Sequence, residues 1–373
     1  MRRNIIITAI FTLFIMTPMH AQKMTMGSCY TRDGGLYKGE IQAGKPHGKG
    51  ITSYPNGDSY EGNYAKGRRQ GQGVFLTNDG QRYEGDWMHD QQHGKGTMYY
   101  ANNNRYDGTW YTGQRHGRGS MHYFNGDSYS GEWSKDKREG RGKYIFSSGA
   151  YYEGQWKDDK KNGRGVFDWA DGTKYDGDWR NDLRQGRGTY TYANGDQYTG
   201  DWRNDLQNGR GIYKFANGDV YEGQYADGQR TGDGILKYAN GDRYTGRFLN
   251  GEKSGTGTYS WSNGDTYTGQ WKDDLEDGIG RLVKKNGDRF EGTFKAGLVD
   301  GEVIIHFADH SRFKGIYVEG RRNGPAIEED KDGLRFEGSY VDDRRDGPFV
   351  EKDRNGQIVK KGNYTKGIRH EDK

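Results

Sequence analysis

An aromatic residue followed two positions later by glycine recurs every 23 residues through most of the chain, and this period limits the fold more than any other feature. The series runs Tyr37, Tyr60, Tyr83, Tyr106, Tyr129, Tyr152, Tyr175, Tyr198, Tyr221, Tyr244, Tyr267, Phe290, Phe313 and Phe336 without an insertion. A further unit follows around Gly362 and Tyr364 after one extra residue. A unit this short has no core of its own, so it must be stabilised by stacking on its neighbours.

The unit from Tyr198 to Val220 shows what is being repeated. It reads Tyr-Thr-Gly-Asp-Trp, a polar turn, Gly-Arg-Gly-Ile-Tyr-Lys-Phe, and then Ala-Asn-Gly-Asp. Both halves alternate with period two, the signature of strands. Tyr198, Gly200 and Trp202 share one face of the first strand, and Gly209, Gly211, Tyr213 and Phe215 share one face of the second. Each unit is therefore read as one hairpin. Asn217-Gly218 and its counterparts Asn56-Gly57, Asn125-Gly126, Asn194-Gly195, Asn240-Gly241, Asn263-Gly264 and Asn286-Gly287 are expected to form the tight turns.

Glycine weakens strands, so 63 glycines placed in register with 29 Tyr and 9 Trp need a reason. The reason offered by the pattern is space: a ring from a neighbouring strand covers a position that has no side chain. With only 30% hydrophobic residues the chain cannot enclose a thick core, and with 14% aromatics it does not read as disordered. The expected fold is all-β, an elongated single-layer twisted meander of about fourteen 23-residue hairpins, on the order of 140 Å long at two strands per unit.

Residues 1–21 read as a secretory signal peptide: Arg2 and Arg3 precede an apolar stretch from Ile5 to Met16, and Ala21 supplies a small residue for cleavage. Residues 22–36 form a lead-in, 37–289 the regular repeats, and 290–373 divergent repeats with a C-terminal cap. Removal of the leader leaves 55 basic against 53 acidic residues, which does not steer the chain towards nucleic acid. Cys29 has no internal disulfide partner, since it is the one cysteine in the chain.

The spacing Tyr-x-Gly-x-Trp, Gly-x-Gly, Asn-Gly, held from Tyr37 to about Leu282, resembles the MORN repeat (membrane occupation and recognition nexus). The resemblance implies a hairpin meander, often dimeric, used in protein assembly and sometimes in phospholipid contact. Some relatives carry a lipid-kinase or lysine-methyltransferase domain, for which the repeats here leave no room. The C-terminal units depart from the pattern, with Val303, Ala326 and Phe349 replacing the second glycine, and they resemble a variant bacterial repeat suited to capping an open edge or docking a partner.

Ser, His and Asp recur at repeated turn positions and do not gather at one exceptional place, so the chain is not expected to be an enzyme, and neither a cofactor nor a metal is expected. His47, His93 and His116 share one repeat position and read as loop residues. The aspartates after Asn-Gly read as turn residues, with a calcium ladder as the lesser alternative. The candidate interaction surface is the aromatic row Trp87, Trp110, Trp133, Trp156, Trp179, Trp202, Tyr225 and Trp271. The expected role is an exported scaffold for protein partners at the cell envelope, in the periplasm or secreted, with a homodimer as one form of assembly. Glycan, cell-wall or phospholipid binding by the aromatic face is the alternative.

Overall fold

The computed structural model describes residues 23–372, so the leader expected at 1–21 lies outside the described residues. The chain divides into two compact units, one ending at Gly140 and one beginning at Arg141, inside the strand Lys137–Ile145. Both are built from antiparallel strands, and no helix occurs among the described residues.

In the first unit, β1 (Thr25–Tyr30) pairs with β2 (Leu36–Gln42), β2 with β3 (Lys45–Ser53), and β3 with β4 (Ser59–Ala65). The order continues strand by strand to the pairing of Gln114–His122 with Ser128–Ser134. The lead-in 22–36 thus contributes a strand of its own. In the second unit the same order runs from Tyr151–Lys157 to Ile368–Glu371. Each unit is a single layer of consecutive hairpins, as the repeat requires.

The strands alternate between seven and nine residues, as in Gln197–Arg203 and Leu206–Lys214. Between them, Asn204 (φ 49°) and Asp205 (φ 69°) form a two-residue turn with both residues left-handed, the primed turn that matches strand twist. The tight turn is therefore not at Asn-Gly, where the sequence reading put it. At Asn217-Gly218 only Gly218 is left-handed (φ 96°), and its N–H donates to Phe215 O at 3.0 Å. Phe215 N–H donates to Asp219 O at 2.9 Å, closing a wider loop. Asn and Asp tolerate the left-handed region well enough to build this turn without glycine, whereas other units use one, as at Lys66-Gly67 and Asp227-Gly228, so the turn has no constant sequence signal.

Inside each hairpin the longer strand bulges. Gly200 faces Gly211 and Trp202 faces Gln207, so the single residue Asp201 opposes Asn208, Gly209 and Arg210. Gly209 takes φ 74° at this bulge. The straightened register then places Gly200 and Gly211 side by side beneath the ring of Tyr198. A Cβ on Gly211 would lie 2.4 Å from Tyr198 Cε2, and one on Gly200 would lie 2.5 Å from its Oη. The Tyr198 hydroxyl donates to Asp201 O at 3.0 Å, which pins the ring flat along its own strand. The other regular units repeat this bond, from Tyr37 to Glu40 O at 2.8 Å through Tyr267 to Gln270 O at 3.0 Å.

The C-terminal units change two things together. Where Tyr gives way to Phe290, Phe313 and Phe336, the facing glycine gives way to Val303, Ala326 and Phe349. Loss of the hydroxyl removes the atom that presses hardest on the glycine, and the vacated space takes a side chain. Val303, Ile305, Phe313, Ala326, Phe336, Tyr340, Phe349 and Tyr364 then form a more conventional cluster. Farther along, Glu328 and Glu351 occupy places held elsewhere by an aromatic or aliphatic side chain, and they pair with Arg345 and Arg369 at 2.8 and 3.0 Å.

Two outcomes follow from the ring on its glycines. Gly211→Ala is expected to cost about 1–3 kcal/mol, the range for overpacking, and adding Tyr198→Phe should recover part of that loss, so that the pair is less than additive in denaturant melts. Burial pushes the hydroxyls of Tyr37 and Tyr221 up to about 12 from the ordinary value of 10.0, and it raises those of Tyr198 and Tyr244 as well. A group raised in the fold contributes stability below its unfolded value and loses it as pH climbs towards the folded one. Stability should therefore fall steeply above about pH 10, with tyrosinate absorbance from the row appearing only as the strand signal in circular dichroism is lost.

Candidate interaction surfaces

The structure corrects the aromatic row as an open binding surface. Trp87, Trp110, Trp133, Trp156, Trp179, Trp202, Tyr225 and Trp271 are each only 4–6% exposed. Every one of these rings is packed as core, which leaves no free face on which a sugar could stack.

Three contacts account for this burial. Trp202 meets the edge of Tyr198 in its own unit at 5.2 Å and of Tyr175 in the preceding one at 5.4 Å, with planes nearly perpendicular. Its indole Nε1–H donates to Gly188 O at 3.2 Å, in the hairpin before. Trp87, Trp110, Trp133, Trp156, Trp179 and Trp271 donate likewise to the glycine fourteen residues earlier. A cation then covers the ring: Arg184 Cζ stands 4.5 Å from Trp202, Lys161 Nζ 4.3 Å from Trp179, and Arg115 Cζ 4.4 Å from Trp133.

These cations are held by the turns. Asp205 Oδ1 accepts the backbone N–H of Arg184 at 2.8 Å and its Nε at 3.0 Å. Asp136 does the same for Arg115. At the opposite sheet margin the aspartates after Asn-Gly tie one loop to the next: Asp196, Asp219 and Asp242 accept the backbone N–H of Ala216, Ala239 and Ser262 at 2.7–2.8 Å. The backbone donor of Ser262, together with the Tyr259 hydroxyl, holds the Asp242 carboxyl below its usual range. Tyr111 lies between the rings of His93 and His116, at 5.3 and 5.7 Å. Among the described residues no three His, Cys, Asp or Glu side chains are grouped as metal ligands would be.

The surface left open is the other face of each sheet, where the alternate side chains point. In the first unit an open trough of about 550 Å³ runs over Met26, Lys38, Lys49, Ile51, Glu61 and Val74, with Gly39, Gly50, Gly62 and Gly73 along its floor. Two such troughs lie among the described residues of the second unit. One spans Arg187, Arg210, Ile212, Glu222 and Ile235. The other, about 660 Å³, has the most aliphatic side chains in its lining: Ile304 and Ile327 stand on either side of Lys314, with Ile316 beside Glu302 and Pro325 near by. Sequence reading passed over these positions, although isoleucine replacing threonine at the outward phase of the alternation is a visible signal.

The MORN repeat family matches this chain in eleven contiguous copies from residue 37 to 289 and in a twelfth at 313–335. No curated protein is a significant match. Among solved structures, the TCP domain of Drosophila melanogaster SAS-4, in complex with a proline-rich motif of Ana2, is 22% identical over 42% of this chain and 85% of its own, with a TM-score of 0.28. The TCP10 domain of Danio rerio CPAP, in complex with a STIL peptide, is 14% identical over 70% and 96%, with a TM-score of 0.25. Virginiamycin B lyase from Staphylococcus aureus is 9% identical over 76% and 92%, with a TM-score of 0.13. With matched repeats covering well over half of its length, and with the Tyr, Gly and Trp of those repeats packed as its core, the chain belongs to the MORN repeat family.

Proposed function

We propose that this chain is an exported, non-enzymatic scaffold that gathers protein partners at the cell envelope on the sheet face opposite its aromatic row. The observation that carries this reading is the burial of the eight rings, which removes the aromatic face as a ligand platform and leaves the alternate face with its troughs. Repeat proteins in general bind through extended surfaces of this kind, and repeated weak contacts raise the effective concentration of a partner without a deep pocket. Export rests on the sequence of residues 1–21.

The aliphatic trough of the divergent C-terminal units is the strongest candidate contact within that face. Ile304 and Ile327 are partly exposed there on either side of Lys314, and no ion pair is described between Lys314 and Glu302. A partner that buries the isoleucines can engage Lys314 between them and Glu302 beside Ile316. Crosslinking in intact cells, followed by affinity recovery and mass spectrometry, should return a reproducible set of envelope proteins. Ile304→Asp with Ile327→Asp should deplete that set while leaving the melting transition of the regular repeats in place. Recovery of wall fragments or lipid alone would overturn the scaffold, and an unchanged protein set from the double variant would overturn the choice of face.

A further inference from the structure

We propose that two copies of this chain join edge to edge through β1, in an antiparallel pair about a two-fold axis, making one sheet that continues from copy to copy. The starting observation is a difference between the two ends of the repeat series. β1, at Thr25–Tyr30, pairs with β2 on one side and with no other strand among the described residues. It reads Thr-Met-Gly-Ser-Cys-Tyr, so it has neither the charges nor the proline that commonly protect an exposed edge.

The last strand, Ile368–Glu371, is protected. It has four residues, and its charges are engaged: Arg369 pairs with Glu351 and with Glu371, both at 3.0 Å, and Lys360 reaches Glu371 at 3.6 Å. A short, charged edge is a poor template for a further strand.

The backbone of β1 is oriented for such pairing. Thr31 N–H donates to Gly35 O, and Thr31 O accepts from Gly34 N, so Thr31 faces the β2 side. Alternation along an antiparallel strand then turns Cys29, Gly27 and Thr25 the same way, and leaves the N–H and C=O of Met26, Ser28 and Tyr30 directed outward. A two-fold axis perpendicular to the sheet keeps each face on its own side and makes identical strands antiparallel. With the axis at Ser28, Met26 stands opposite Tyr30 of the second copy, twice over.

These two side chains are 78% and 76% exposed in the single chain and point to the trough face, where Met26 already lines one end of the trough. Pairing covers both and extends that trough across the axis into the second copy. The assembly closes at two, because it uses the unprotected edge of each chain and leaves the charged edges outside.

Sedimentation of the chain recovered as the cell produces it should give twice the chain mass. Ser28→Pro removes an outward donor without touching the bonds from β1 to β2, and should give a monomer with an unchanged melting transition. Met26→Lys with Tyr30→Lys places like charges opposite each other and should also give a monomer. Met26→Lys with Tyr30→Glu places opposite charges there and should restore the dimer. A parent chain that is monomeric at every concentration, or variants Ser28→Pro and Met26→Lys/Tyr30→Lys that remain dimeric, would overturn the proposal. So would a mass that keeps growing beyond two chains, or a failure of Met26→Lys/Tyr30→Glu to restore pairing.

Discussion

The rest of the structure depends on a tyrosine ring laid flat over two glycines, one on its own strand and one across the hairpin. Tyr198 could not take this position if either Gly200 or Gly211 carried a Cβ, and its hydroxyl would lack a partner if the strand did not continue to Asp201. Once the ring is down, its edges are available to Trp202 in the same unit and to Tyr225 in the next, at 5.2 and 5.1 Å. Each unit thus completes the core of its neighbour. Within each compact unit stability is shared among nearest neighbours, as expected of a repeat array, and a single-layer sheet acquires a core from rings that lie along it.

The same arrangement decides what the chain can offer to a partner. One face is occupied by rings, by the cations over them and by the aspartates that hold those cations. The other face carries the alternate side chains, which no core contact constrains, and these vary from unit to unit. Lys38, Glu61, Thr199 and Lys314 occupy one equivalent position, and Ile51, Val74, Thr189 and Ile304 occupy another. A surface that is regular in spacing and irregular in chemistry fits a repeat scaffold.

Much of the fold was legible in the residues because the period leaves little choice. The alternation of Tyr, Gly and Trp identified the strands and the face that carries the rings, and the paired glycines pointed to a ring lying over bare backbone. Two features were less legible. The two-residue turns fall at Asn204-Asp205 and its equivalents rather than at Asn-Gly; some of these use Asn and Asp in the left-handed region and others a glycine, as at Lys66-Gly67 and Glu319-Gly320, so no constant residue pair announces them. The aromatic row was proposed as a surface because sequence places Trp202 on a face without saying what covers that face. The cover comes from Arg184 and Asp205, eighteen residues before the ring and three after it, one on the preceding strand and one in the turn that follows.

The account turns on those tryptophans being core. Trp169 and Trp261 come directly after the ends of the longer strands and are only partly buried, so the clearest reading comes from a chain carrying Trp169→Phe and Trp261→Phe. Acrylamide quenching of its fluorescence should then report the seven remaining rings alone. The account predicts quenching far below that of the unfolded chain, rising sharply when the strands melt. Quenching in the folded chain close to that of free tryptophan would mean that the row is open to solvent, and would return the aromatic face as the binding surface.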